Sequence, residues 1–384
     1  MASSGSWLIG MHGKVKCGSL LRFIVRFSAA LALALAIFPA GVSAVERSVE
    51  SWNYTAPGRI NSMVVLNGTA IIGCDDGFIY AVGRNGRLRW SYQAGGGVKA
   101  LYASEGGVVV GATDGFVYLL DYGGNLQWMK HIPAYVGYDS AVYMADDLIV
   151  AGSIDGSVYA FNSKGVFLWY HKTDNYVLSV RVVGGRVVAV SDQKVYLLDS
   201  QGTLVKSFGI ETYITSDYLD GRYVALGVEG SQLKVFDLDG KLLWNQSEND
   251  FFGSMHIYNE TLVVGTRNGT LYYFNMNGTL VWRRDLEKGV SAVYANGKYV
   301  AASSLNHILY VFDANGNELL VFSLNRYATV IGGDGHTIVA GTSNGEVHSI
   351  SFVDTTDPLM SLFALTIMML VILAAVFMLI RSWN

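Results

Sequence analysis

Acidic residues recur at a regular interval, Asp76, Asp114, Asp155 and Asp192, and carboxylates so arranged are one way to hold a metal ion. The first three, however, stand directly before a glycine, and Asp-Gly pairs form turns. A role in turns accounts for them without a metal. The histidines His131, His171, His256, His307, His336 and His348 include no pair at the spacing of a helical or hairpin ligand set. No glycine-rich phosphate loop opens onto a helix. The sequence therefore offers no nameable catalytic residue, metal ligand or cofactor-binding residue.

One set of residues is better suited to binding. Seven residues after a recurring tryptophan position come Arg59, Gly97, Tyr135, Tyr176, Tyr213, Phe251, Gly289 and Tyr327. A three-residue insertion makes Tyr138 as good an occupant as Tyr135. Aromatic faces with Lys99, Asp250, Lys288 and Arg326 nearby suit a peptide, a glycan or a loop of a partner protein. The plainer account is that these rings plug a channel or pack between strands. The choice depends on the elements that carry them.

Those elements repeat. Residues 111–128 read GATDGFVYLLDYGGNLQW, and residues 152–169 read GSIDGSVYAFNSKGVFLW. Weaker copies begin at Gly73, Ala189, Gly227, Gly265, Ser303 and Gly341. A tyrosine position is filled by Tyr80, Tyr118, Tyr159, Tyr196, Lys234, Tyr272, Tyr310 and His348, at spacings of 38, 41, 37, 38, 38, 38 and 38 residues. A period of this size points to a repeat architecture. Nearly continuous apolar runs, such as Val108-Val109-Val110 and Leu148-Ile149-Val150, indicate strands buried on both faces. Asp-Gly or Asn-Gly pairs at 76–77, 114–115, 155–156, 268–269 and 344–345 predict tight primed turns, with positive φ at both central residues. A second turn, Asp-x-x-Gly, precedes a strand that ends in Trp.

Four short strands per copy, repeated radially, predict an all-β, eight-bladed β-propeller over residues 45–357. Seven blades and a straight β-solenoid are the alternatives. Closure favours the ring. The eighth copy lacks a Trp strand, while an orphan one, Glu50-Ser51-Trp52-Asn53-Tyr54, stands at the other end. Trp52 precedes Tyr80 by 28 residues, as Trp90 precedes Tyr118. The N-terminal strand is therefore expected to complete the last blade. Trp52, Trp90, Trp128, Trp169, Trp244 and Trp282 are read as structural wedges between blades, with Lys206 and Leu320 in the other two copies.

The phrase Val-Tyr-x-Phe/Leu-Asp-x-x-Gly-x-Leu-x-Trp, clearest at 117–128, 158–169 and 271–282, resembles the repeat of the pyrroloquinoline-quinone-like β-propellers. The resemblance extends over nearly all of 45–357, and it implies the scaffold. That family includes eight-bladed quinoprotein dehydrogenases and non-catalytic members, among them the propeller subunit of the bacterial outer-membrane barrel-assembly machine. The dehydrogenases carry a vicinal cysteine pair against the cofactor, and this chain has no Cys-Cys. Nor does an isolated acidic and basic set carry over as calcium ligands or catalytic base. The resemblance thus implies the non-catalytic branch without a cofactor; the alternative is a quinoprotein-type oxidoreductase with a divergent site.

The ends bear on location. Lys14, Lys16, Arg22 and Arg26 lead into an apolar run, Phe27 to Pro39, and then the small residues Val42-Ser43-Ala44. This is the pattern of a signal peptide over 1–44, or of an uncleaved signal anchor. Pro358 to Ile380 is an uncharged stretch of 23 residues, long enough for a transmembrane helix. Arg381 after it puts the tail 381–384 in the cytoplasm and the propeller outside the cell membrane. Cys17 leaves with the signal, so Cys74 is left without a disulfide partner. Removing the five basic residues of signal and tail from 27 leaves 22 against 31 acidic ones, a net charge of −9. Such a domain is a poor match for nucleic acid. Sequons at Asn53, Asn67, Asn245, Asn259, Asn268 and Asn277 are acceptors for N-glycosylation on an exported surface. The expected function is a non-catalytic, membrane-anchored, extracytoplasmic propeller that binds a protein or glycan partner.

Overall fold

A computed structural model describes residues 45–355, with side chains from Glu50 to Phe352. The expected signal segment 1–44, the apolar run 358–380 and the tail 381–384 lie outside the described residues. Ser48–Phe352 forms one compact unit. Its first blade shows how the repeat folds. An inner strand, Ile60–Leu66, is followed outward by Thr69–Cys74, Phe78–Val82 and Leu88–Gln93, hydrogen-bonded in that order. The second strand is buried at every residue, whereas the outermost is largely exposed. A strand apolar on both faces needs a neighbour on each side. The next blade supplies one: Ile71, Ile79 and Ala81 share a core with Val98, Val108 and Leu120.

The described residues form eight such four-stranded sheets. In the eighth, Ala328–Asp334, Thr337–Thr342 and Glu346–Thr355 are completed by Val45–Thr55 as the outer strand. Ser51 Oγ donates to Ser351 Oγ at 2.5 Å across 300 residues of chain, and His348 Nδ1 lies 2.8 Å from Glu50 Oε1. The ring closes as the repeat spacing predicts.

The expected primed turns require correction. Gly77, Gly115, Gly156, Gly269 and Gly345 have positive φ, but Asp76, Asp114, Asp155, Asn268 and Asn344 before them do not. The loop is one residue longer than a primed turn. Gly77 N–H donates to Cys74 O at 3.2 Å, and its left-handed φ of 87° returns the chain to the next strand. The aspartate acts through its side chain. Asp76 Oδ1 accepts the Phe78 amide at 2.8 Å and Oδ2 accepts the Tyr80 hydroxyl at 2.6 Å. Asp114 takes Phe116 and Tyr118 in the same way, and Asp155 takes Ser157 and Tyr159. The Asp and Tyr positions of the repeat are thus a single device. Burial, together with these carboxylates, pushes the hydroxyl pKa of Tyr118 and of Tyr159 up to about 12. Primed geometry does occur one hairpin earlier, at Asn67-Gly68, with φ of 50° and 70°.

The tryptophans sit at the seams between blades. Trp90, Trp128, Trp169, Trp244 and Trp282 donate Nε1–H to Tyr122, Ser163, Ser200, Met276 and Ala314 carbonyls in the next blade's second turn, at 2.8–3.1 Å. The glycine ending that turn lies under the indole: at Gly165 a Cβ would stand 2.7 Å from Trp128 Cγ. In the outer strand Leu204–Gly209, Lys206 holds the tryptophan register, pairing with Leu197 as Trp90 pairs with Ala81. Its Nζ donates to Asp239 O at 2.6 Å, while Phe208, two residues on, covers Gly240.

Candidate functional site

The inner strands line a central channel, and the residue just before each strand marks one mouth of it. That residue is held by its carbonyl. Arg59 O accepts from Asp75, Tyr213 O from Glu229, Phe251 O from Arg267 and Tyr327 O from Ser343, at 2.8–3.2 Å. Tyr135 O accepts from Ile154 at 3.1 Å in the same manner, so Tyr135 and not Tyr138 is the register equivalent. A Cβ on Gly111 would meet Val136, as one on Gly73 would meet Val98. Val136 therefore fills the first inner-strand position, and Gly137-Tyr138-Asp139 is the insertion. It carries Tyr138 and Asp139 into the channel lining.

At the rim, Arg59, Tyr135, Tyr138, Tyr213 and Phe251 are exposed, and Tyr176 and Tyr327 are half-buried. Tyr138 stacks on Tyr176 with centroids 5.6 Å apart and planes at 25°. Arg267 lies 5.2 Å from the Phe251 ring centre, and His307 lies 6.5 Å from that of Tyr327. The rim is therefore a series of separate aromatic platforms, with Tyr138 and Tyr176 the pair brought together. Two of the charges expected nearby are already engaged. Lys99 pairs with Asp75 at 2.7 Å, and Asp250 accepts the Phe251 and Asn268 amides at 2.8 Å each.

Below the rim the channel widens to about 610 Å³, lined by all eight inner strands. Five residues past the rim, counted around the insertion, runs a second belt that the sequence reading did not single out. It consists of Tyr102, Tyr143, Arg181, Tyr218, His256 and Tyr294, with Val64 and Gly332 in the remaining blades. Its members touch in series. Tyr102 and Tyr143 have centroids 4.1 Å apart, and Arg181 lies 5.0 Å from the Tyr143 centre. Tyr218, His256 and Tyr294 follow at 4.8 and 5.0 Å. Burial, with Arg181 close by, holds the His256 pKa down at about 4, so the ring is neutral at physiological pH. Burial also lifts Tyr218 and Tyr294 to about 12. The signal for this belt was present in the same repeat period, one step deeper along each strand.

Between rim and belt lies Asp217. It pairs with Leu226 as Met63 pairs with Ile72, so it holds a position that Met63, Leu101, Val142, Val180, Met255, Val293 and Ile331 fill in the other blades. All seven are buried. The Ser179 hydroxyl donates to Asp217. Burial pushes the Asp217 pKa up to about 6; the Ser179 hydrogen bond opposes the shift and the Asp139 charge adds to it. Burial raises Asp139 as well, against hydrogen bonds from Ser140. Water reaches Asp139 from the channel. Protein nevertheless encircles it, and that enclosure governs the cost of its charge.

Among the described residues, no group of three or more His, Cys, Asp or Glu side chains is placed to hold a metal ion. The sequon residues Asn53, Asn67, Asn245, Asn259, Asn268 and Asn277 are all exposed.

Compared with known families, residues 75–209 and 229–354 match the one described as outer membrane protein assembly factor BamB. The chain belongs to that family. The two segments span more than half of the sequence. No curated protein matches the chain significantly. Among solved structures, the computationally designed Ika8 protein superposes with a TM-score of 0.71 at 19% identity, covering 78% of this chain and 98% of Ika8. BamB from Moraxella catarrhalis gives 0.68 at 16% identity, over 80% of this chain and 99% of that one. Sqt1 from Chaetomium thermophilum, bound to the N-terminus of the ribosomal protein L10, gives 0.65 at 16%, over 80% of this chain and 100% of that one. At these identities the likeness is one of fold.

Proposed function

We propose that this chain is a non-catalytic docking scaffold. Its propeller is tethered outside a cell membrane by the apolar segment 358–380 and receives a segment of a partner protein at the tyrosine-lined mouth. One observation carries the reading: Tyr135, Tyr138, Tyr213 and Phe251 stand exposed on the connections that lead into the inner strands, around one mouth of the channel. Exposed aromatics on a rigid frame bind with little loss of side-chain freedom, and such residues dominate protein interfaces. The family is described by its part in assembling outer membrane proteins, and the Chaetomium propeller was solved with a protein terminus bound. Those are properties of the relatives, and they favour a protein partner over a glycan. The tether and its direction rest on the uncharged run before Arg381.

The test is capture of the partner from detergent-solubilised membranes by the full chain and by Tyr176→Ala/Tyr213→Ala. Tyr213 is 53% exposed and Tyr176 contributes one aromatic stack, so the melting temperature should fall by less than about 3 °C. Capture should drop at least tenfold. Undiminished capture by a folded double variant removes the reading.

A further inference from the structure

The channel's polar wall departs from the repeat in two independent ways, and both deliver a carboxylate to one place. In blade five, Asp217 stands where the other seven blades bury an apolar side chain. In blade three, the extra residues Gly137-Tyr138-Asp139 add a second acid to the same lining. No lysine, arginine or histidine among the described residues forms an ion pair with either. Arg181, one register position deeper than Asp217, is committed elsewhere: Nη1 donates to Leu219 O at 2.8 Å and the guanidinium lies over Tyr143. A further carboxylate, Asp192, is not part of that lining; it is 2% exposed and near enough to Tyr138 to help raise its hydroxyl pKa. Asn175 holds its Oδ2 at 2.7 Å, while Oδ1 is buried with no hydrogen-bond partner among the described residues.

Enclosed carboxylates without a counter-charge are unfavourable until something positive arrives. The walls are suited to such a guest, since aromatic faces attract cations and are arranged here within a cavity large enough for a side chain. We propose that the channel sector between blades three and five is a binding site for a cationic group, the ammonium or guanidinium of a lysine or arginine on the docked partner segment. This rests on the docking reading above and names the chemistry of its partner. A metal ion is a poorer guest, because no three ligating side chains converge there. An anion would meet Asp139 and Asp217 before reaching Arg181.

Acetylated and amidated Gly-Ser-Arg-Ser-Gly, with Lys or Glu in place of Arg, serve as probes against the full chain in detergent, by calorimetry at pH 7.5. The Arg and Lys peptides should bind at least tenfold more tightly than the Glu peptide. Asp217→Met, which restores the residue type of the sister blades, should abolish that preference without lowering the melting temperature. Asp217→Asn, which keeps the side chain's shape, should do the same. Equal binding of the three peptides, binding of none, or an unchanged preference in both variants overturns the inference. Partner capture separates the two ideas. Loss in Tyr176→Ala/Tyr213→Ala with full retention in Asp217→Met would leave docking intact and refute the cationic contact alone.

Discussion

A carboxylate seated where seven sister blades seat a hydrophobic side chain has a measurable signature. The folded pKa of Asp217, about 6, lies above its ordinary 3.8, so the folded chain holds this proton more tightly than the unfolded chain. Its contribution to stability is complete below pH 3.8 and is lost as pH rises through 6. Asp139 from blade three adds to the shift, and Arg181 and His256 from blades four and six line the same channel. His256 works in the opposite sense: its depressed pKa supports the fold above its ordinary 6.5 and fails as pH falls through 4. Comparison with Asp217→Asn cancels that background. From pH 4.5 to 7.5 the wild type should lose about 2 kcal/mol relative to the variant, read from denaturant midpoints. A difference that does not vary with pH would show Asp217 to be fully solvated. None of this was legible from residue type alone. Asp217 becomes conspicuous only when register places it against Met63 and its equivalents, and counting from the rim had stopped four residues short of it.

At the scale of the strand and turn, most of the blade was legible because its signals are local. Continuous apolar runs became buried middle strands, and Asp-x-x-Gly became the turn that receives the next indole. Two things escaped for physical reasons. The Asp-Gly pair was read from backbone preference, whereas the aspartate side chain organises the loop by accepting an amide and a tyrosine hydroxyl. The tryptophan position was read by counting, which assigns Lys206, whereas packing is shared between Lys206 and Phe208 on one strand face. That division is testable. Phe208 packs against Phe236 with centroids 5.1 Å apart, and truncation to alanine should cost about 2–4 kcal/mol. Lys206→Ala removes an exposed amine and one hydrogen bond, so about 1 kcal/mol or less is expected. The reverse order in thermal or denaturant unfolding would return the seam to Lys206.

For the whole molecule, stability depends on having no first and last blade. Each sheet buries its faces only against its neighbours, so an open ring would present two apolar walls and an unpaired strand edge to water. The outer strand from the N-terminal end prevents this by pairing with the last repeat, and Ser51 and Ser351 meet across that seam. Replacing both with cysteine places thiols where the hydroxyls touch, and Cys74, the native thiol among the described residues, is buried and should not compete. A bond closing a loop of 300 residues removes unfolded-state entropy equivalent to about 6 kcal/mol, less any strain in the native state. Ser51→Cys/Ser351→Cys should therefore cross-link on mild oxidation, migrate faster on a non-reducing gel and melt several degrees above its reduced form. Because the rim and channel exist only while eight blades share one axis, the oxidised protein should also keep its affinity for the cationic peptides at temperatures where the reduced form has lost it. Thiols that stay free under oxidation would separate the two strands, and the channel with its acidic wall would have no frame to hold it.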